Sequence, residues 1–468
     1  MKLHGNDLER FHRRLAGEAL CDLAGVLGRL IPAQELTHLR RSARRKRVFT
    51  PMTTFWSFLA QVLNPGQPCR ESVRRLQAVR YRHRQAQISA RNSAYCQARR
   101  RLSTALLERI WQSMARNLTS HAPQPMLWKG LRIAVIDGTT VSMPDTPENQ
   151  VPWPQSSTQK LGCGFPVMKL LAVFSLVTGA AHALATGSLH NAEHALLQPL
   201  WACLSSTFDL VLGDRNFGSF TTFCTLRTLE LYGVFRLHQR RKADWRKGQR
   251  LGKYDRLVLW PRPQKVTWLR SDPLPYSITV RILKINLSVP GFRTKTIMLV
   301  TNLLDPKLFS PEALAQLYLL RWRVELFFAH IKSTMHMDIL RCRTPEMILR
   351  ELHMHLIAYN AIRTLMFEAA VRTATPLDRI SFKGTCDALR QWSPHLAATA
   401  SIPSIYRRLL RSFLLTLAQD TVPLRPNRSE PRAVKRRSKN FQYLNKPRHQ
   451  MGNLPHRNNP SQKSKYHA

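Results

Sequence analysis

A mixed α/β fold, with a β-rich insertion and helical regions at both ends, is what this sequence predicts, and three observations predict it. Residues 129–224 alternate short β-type runs with helical stretches, the pattern of a mixed α/β core. Residues 225–300 are dense in strand candidates separated by prolines. Residues 1–128 and 301–424 carry the longer periodicity of helices.

In the N-terminal region 1–128, Phe55–Leu63 is an apolar helix broken at Asn64-Pro65-Gly66, and Cys69–Arg84 and Ala98–Leu118 read as basic amphipathic helices. Six of the eight residues Arg40–Arg47 are basic, which makes Arg44, Arg45, Lys46 and Arg47 candidates for gripping a nucleic-acid backbone. The competing reading is a helical bundle with a solvated basic face. In 129–224, Leu131–Ile136 predicts a strand ending at Asp137-Gly138. Lys169–Val177 and Ala180–Ser188 predict two more, joined near Thr178-Gly179; His190–Leu204 predicts a helix. Phe208–Gly213 predicts a strand ending at Asp214, with a helix from about Phe217. In 225–300 the strand candidates are Gly233–Leu237, Arg256–Trp260, Tyr276–Ile285 and Thr294–Leu299. Helices resume at Pro311, run through Tyr318–Lys332 and continue over Thr344–Val371, closing the region 301–371. A helical C-terminal region, 372–424, offers a plausible interface without a clean heptad. The stretch 425–468 is rich in Pro, Asn and Arg/Lys, and Arg432–Lys439 reads as a disordered nucleic-acid arm.

Charge narrows the partner. The 468 residues hold 72 Lys+Arg against 28 Asp+Glu, a formal charge of +44. Such a balance points to a polyanion, nucleic acid first and a membrane surface second. A hydrophobic content of 44% is ample for real cores, so the chain is not a disordered basic tail; a ribosomal-type structural protein is an open alternative, for which this chain is long and its apolar core well patterned. The N-terminus Met1-Lys-Leu-His-Gly-Asn-Asp lacks the apolar segment of a secretory signal, and the longest apolar run, Leu170–Ala181, is too short to span a bilayer. Eight scattered cysteines without a CxxC pair fit reduced thiols. These features predict a cytoplasmic protein with no membrane partner.

The most informative stretch is Tyr318–Lys332. On an ideal α-helix Tyr318, Arg321, Glu325 and Lys332 fall at roughly 0°, 300°, 340° and 320°, one stripe carrying a phenol, two cations and a carboxylate. A carboxylate can bind a divalent metal, and adjacent cations can bind phosphate oxygens. The plain alternative is an i,i+4 surface pair with solvated neighbours. Asp137 and Asp214, each at the end of a β-type run, add two hard oxygen ligands, although the first also fits a turn before Gly138 and the second a helix cap or turn. Three such carboxylates would suit Mg²⁺, and two ions held together would suit in-line displacement at phosphorus.

The spacing Tyr, two residues, Arg, three, Glu, six, Lys resembles the signature of bacterial transposases of the insertion-sequence-4 family. Asp137–Asn149 resembles that family's first acidic motif, Leu212–Phe217 its second, and Arg341–Met347 its continuation after the lysine. The resemblance is strongest over about 130–365. It implies a ribonuclease-H-like core in two parts, 129–224 and 301–371, with 225–300 as the insertion. It implies Asp137, Asp214 and Glu325 as catalytic metal ligands for Mg²⁺, with Mn²⁺ able to substitute. Tyr318, Arg321 and Lys332 would contact DNA near the cleaved end. It also implies a homodimer on DNA that cuts inverted-repeat transposon ends and joins them to target DNA, in some relatives through a hairpin. The sequence departs from the hairpin-forming relatives: Thr296–Thr301 lacks the tryptophan they place there, leaving Trp260 and Trp268 as candidates, and Asn216 stands where many have glycine. Two other readings stay open, a ribonuclease-H-like nuclease without strand transfer and a remnant that binds DNA but cannot cut.

Two histidine patterns compete. His190-Asn-Ala-Glu193-His194 matches the inverted zinc-protease motif H-x-x-E-H, but also fits a polar helix start. His353 and His355 are i,i+2 and point apart on a helix.

Overall fold

Ile133-Ala-Val-Ile136 is apolar on both faces, and a strand of that composition must be covered on both sides. The computed structural model, which describes residues 22–41, 47–82, 84–264, 274–286, 296–423 and 443–451, shows that arrangement. Arg44, Arg45, Lys46, Trp268 and the arm Arg432–Lys439 lie outside the described residues.

The described residues begin with helices α1 (Asp22–Leu27), α2 (Ala33–Arg41), α3 (Pro51–Leu63), α4 (Cys69–Arg82), α5 (Ser93–Arg100) and α6 (Thr104–Ser120). The expected single helix over Ala98–Leu118 is therefore two. The first ends at Arg100, and Ser103 caps the next by accepting a hydrogen bond from Leu106 N.

Strand β1 (Ile133–Ser142) follows, then a short helix α7 (Pro147–Gln150), β2 (Val167–Ser175), β3 (Ala181–Ser188), α8 (Glu193–Leu197), α9 (Trp201–Thr207), β4 (Leu210–Gly213) and α10 (Phe220–Thr228). The helix expected over His190–Leu204 is interrupted where Pro199 sits in a 3₁₀ turn, Gln198–Leu200. Next come β5 (Tyr232–Arg236), β6 (Gln249–Gly252), β7 (Asp255–Pro261), β8 (Ser277–Asn286) and β9 (Thr296–Thr301). The chain continues with α11 (Pro311–Leu320), α12 (Arg323–Ala329), α13 (Pro345–Thr373), α14 (Phe382–Ala398) and α15 (Pro403–Gln419).

The nine strands of the described residues join one sheet, in the order β3-β2-β1-β4-β5-β9-β8-β7-β6. Strands β1, β4 and β5 run parallel; β2 is antiparallel to both β1 and β3; β9 is antiparallel to β5. The strands of 225–300 thus continue the sheet of 129–224. On one face, Ile133, Val135, Leu210 and Leu212 pack into a core with α11–α13 and the N-terminal helices. On the other, Ala134, Ile136 and Val211 pack against α8–α10. Helix α13 is buried along most of its length and on all sides, which marks it as the central helix. Among the described residues no helix is long and apolar enough to cross a membrane.

Candidate active site

Register brings the two aspartates together. In the parallel pair β1–β4, Val135 faces Leu212; two residues on, Asp137 and Asp214 stand on neighbouring strands at the carboxyl end of β4. Side chains alternate along a strand, so both project to the face of Ile133, Val135, Leu210 and Leu212. That face is the one covered by α11 and α12. Carboxyl ends of parallel strands are where open α/β sheets bind ligands.

Asp137 is not at a strand end, contrary to expectation. β1 runs on through Gly138 to Ser142, paired residue by residue with β2, Asp137 opposite Ala172 and Ser142 opposite Val167. Thr139, Thr140 and Val141 are β-branched and sustain the strand past the glycine. Asp214 does follow its strand directly, and its Oδ1 accepts a hydrogen bond from Asn216 N at 2.8 Å, which sets the turn. Asp137 Oδ1 accepts from Gly138 N at 2.9 Å, and its Oδ2 lies 3.5 Å from Arg321 Nη1. Burial raises the Asp137 carboxyl from 3.8 to about 6, opposed by the Gly138 amide and Arg321 and reinforced by the negative charges of Asp214 and Glu193.

The expected continuous helix Tyr318–Lys332 is a correction. α11 ends at Leu320, Arg321-Trp322 form a turn, α12 covers Arg323–Ala329, and His330–Thr334 is a π-helical turn. At the break the amides of Arg321, Trp322, Val324 and Glu325 bond back three residues instead of four, so the helix tightens and the ideal stripe is lost. What the break achieves is to turn Arg321 inward. Arg321 is buried, and its guanidinium carbon is 4.9 Å from the Trp322 ring centre and 5.8 Å from that of Tyr318. Its Nε is buried without a hydrogen-bond partner among the described residues. Tyr318 is also buried; burial raises its phenol pKa, Asp214 adding to the shift and Arg321 opposing it. Lys332, in the π turn, donates to Thr139 Oγ1 at 3.0 Å, two residues from Asp137 on β1.

Glu325 stands apart. It is exposed on the first turn of α12, a helix that packs on β1, and carries no ion pair among the described residues. Among those residues no three His, Cys, Asp or Glu side chains converge as a ready cation cage, the H-x-x-E-H residues included. Glu193 begins α8 and lies beside the aspartates instead, while His190 is exposed. His353 accepts a hydrogen bond from Trp111 Nε1 at 2.9 Å, and burial lowers the His353 and His355 pKa values to about 4 and about 3, the behaviour of core histidines. Trp260 is buried, with the Arg241 guanidinium 4.0 Å above its ring, and is not free to stack a flipped base. Of the N-terminal basic candidates the structure places only Arg47, which is exposed. A separate cavity of about 670 Å³, between α3–α5 and residues 335–355, is lined by Arg99, Arg100, Arg341 and Arg343.

Glu193 is the site neighbour that sequence reasoning missed. Its signal was present in H-x-x-E-H, which fits a polar helix start or a zinc pattern, and spacing alone cannot show that the Glu193 carboxylate comes to lie against Gly138 of β1.

A family model described as "Transposase DDE domain" matches residues 128–361. The chain is 29% identical over 406 residues to transposase InsG for insertion sequence element IS4 of Escherichia coli (strain K12), covering 84% of this chain and 87% of that one. It is 37% identical over 62 residues to the transposase for insertion sequence element IS421 of Escherichia coli, 13% of this chain and 16% of that one. Among solved structures, a piggyBac transposase synaptic complex with hairpin DNA aligns over 82% of this chain and 80% of that one, at 9% identity and a TM-score of 0.41.

Proposed function

This chain belongs to the transposase DDE domain family, and from that premise we propose that it cuts the ends of an insertion sequence and joins them to target DNA. The observation that carries the reading is the Asp137–Asp214 pair, side by side on parallel strands, with the buried guanidinium of Arg321 reaching Asp137 and keeping one N–H unspent. The five strands β3-β2-β1-β4-β5, with β2 alone reversed, support a ribonuclease-H-like core.

The donor set suits a hard divalent cation: carboxylates close enough to raise the pKa of Asp137 are a cluster that added positive charge would relax. Asp137, Asp214 and Glu325 would hold Mg²⁺, or Mn²⁺ in its place; Glu325 has no competing ion pair among the described residues and three χ angles with which to turn. Bound there, a pair of such ions would polarise the scissile phosphodiester and activate the attacking oxygen. The chain's own cations do the positioning. Arg321, held by Tyr318 and Trp322, directs its fork at a phosphate oxygen, and Lys332, in the π turn and held by Thr139 of β1, presents a second charge. DNA is the partner, its transposon ends first and its target second, and the active assembly is a homodimer on DNA.

The test is Mg²⁺-dependent cutting of cognate end DNA followed by incubation with plasmid target. The parent should cut and then yield joined molecules, while Asp137→Ala should bind ends and lose cutting by at least about a hundredfold. Cutting without joining would leave a nuclease; binding without cutting in both proteins would leave a remnant.

A further inference from the structure

Three features lie under the aspartate pair. Gly138 faces the side of β1 opposite Asp137, the side packed by α8–α10. A Cβ at position 138 would lie 2.8 Å from Glu193 Oε1, so the missing side chain is the space that admits this carboxylate. Glu193 Oε2 in turn accepts a hydrogen bond from Asn216 Nδ2 at 3.4 Å, and Asn216 N is the donor that fixes Asp214. Glu193 therefore bridges the strand that carries Asp137 and the turn that carries Asp214.

Its own position is set from behind. Lys169 Nζ donates to the carbonyls of Leu189 and Asn191, at 3.0 and 2.6 Å, and Asn191 Oδ1 accepts from Ser188 N at 2.6 Å. The loop feeding α8 is thus pinned to β2 and β3. Lys169 is committed to those carbonyls, and among the described residues no cation pairs with Glu193. In a chain with 72 basic and 28 acidic residues, a pinned carboxylate without a cation, beside two more carboxylates, is an arrangement that electrostatics alone would remove.

We propose that Glu193 is a positioning residue of the aspartate pair: it braces the Asp214 turn through Asn216 and adds negative charge behind the divalent cation. This rests on the proposed function. A second carboxylate layer behind metal ligands typically changes metal affinity by about 10–100-fold when removed. The glycine at 138 and the asparagine at 216 then belong to one device, the first making room for the carboxylate and the second tying it to Asp214.

The experiment is a Mn²⁺ titration of the metal-free full-length protein, followed by electron paramagnetic resonance, on the parent and on Asp137→Asn, Glu193→Gln, Glu193→Ala and Asn216→Ala. Glu193→Gln keeps an oxygen for Asn216 and loses the charge; Asn216→Ala keeps the charge and loses the brace. Each should weaken Mn²⁺ binding by about tenfold, and Glu193→Ala by more. End cutting by Glu193→Gln should be depressed at low Mg²⁺ and recover at high Mg²⁺, which a fold defect would not do. If Glu193→Ala does not fold, the Gln and Asn216 variants decide. Unchanged affinity in both, with Asp137→Asn abolishing binding, overturns the role of Glu193 and leaves the transposase reading standing. Unchanged affinity in Asp137→Asn overturns the reading beneath it.

Discussion

At the scale of single residues, Asp137 has a cost that only a cation removes. Burial and its acidic neighbours raise its pKa from 3.8 to about 6, so the folded protein holds this proton to higher pH than the unfolded chain does. Between about pH 4 and pH 6 the folded state binds more protons, and stability therefore falls as pH rises through that window and stays lower above it. Asp137→Asn cannot ionise. Without metal it should be more stable than the parent at pH 7.5 by up to about 3 kcal/mol, and the two should converge near pH 4. Urea midpoints at the two pH values check this. A less stable variant at pH 7.5 would mean that the Arg321 ion pair outweighs desolvation. Adding Mg²⁺ should raise the parent's midpoint and leave the variant's unchanged, since only binding to the folded state stabilises it.

At the scale of elements, the scaffold of the site is α13, and its grip is polar as well as apolar. Asn360, fully buried, donates to the carbonyls of Trp111 on α6 and Ala181 on β3 and accepts from Ala181 N, at 2.9, 3.0 and 2.9 Å. Arg29 adds a paired hydrogen bond to Glu368 at 2.7 and 2.6 Å. Asn360→Ala removes three buried hydrogen bonds that join α13 to two other elements and should cost about 2–4 kcal/mol in urea unfolding, and Asn360→Asp should not rescue it, because a carboxylate accepts from Ala181 N but cannot donate to either carbonyl. None of this was legible in the sequence, because a lone asparagine in an apolar helix carries no partner in its own pattern. Strands were more readable: β2, β3, β4 and β8 fall within about two residues of where alternation and turn residues put them. The misses share a cause. β1 runs past Gly138 with β2 as its partner from Ala134 to Ser142, and the Tyr318–Lys332 helix breaks at Arg321, whose guanidinium faces Asp137. Tertiary contacts decided both, and local periodicity cannot contain them.

At the scale of the whole molecule, pairing of Asp137 with Asp214 across 77 residues of chain depends on the parallel register of β1 and β4, which no local signal specifies. Charge, by contrast, is readable without any structure, and it makes the last prediction. With a net charge of +44, binding to duplex DNA should be dominated by counterion release, and log K should fall linearly with log salt at a slope of about −0.9 for each phosphate neutralised. The stretch Arg432–Lys439 holds five basic residues, Arg432, Lys435, Arg436, Arg437 and Lys439. If this arm lies along the backbone, changing all five to alanine should flatten the slope by about 4.5 units, since each lost phosphate contact removes about 0.9. The effect should be alike on end sequence and on unrelated duplex, because phosphates carry no sequence information. Fluorescence anisotropy from 50 to 300 mM salt measures both. An unchanged slope would place the arm away from DNA and assign the phosphate contacts to other residues, among them Arg99, Arg100, Arg341 and Arg343, which line the cavity beside the π turn that carries Lys332.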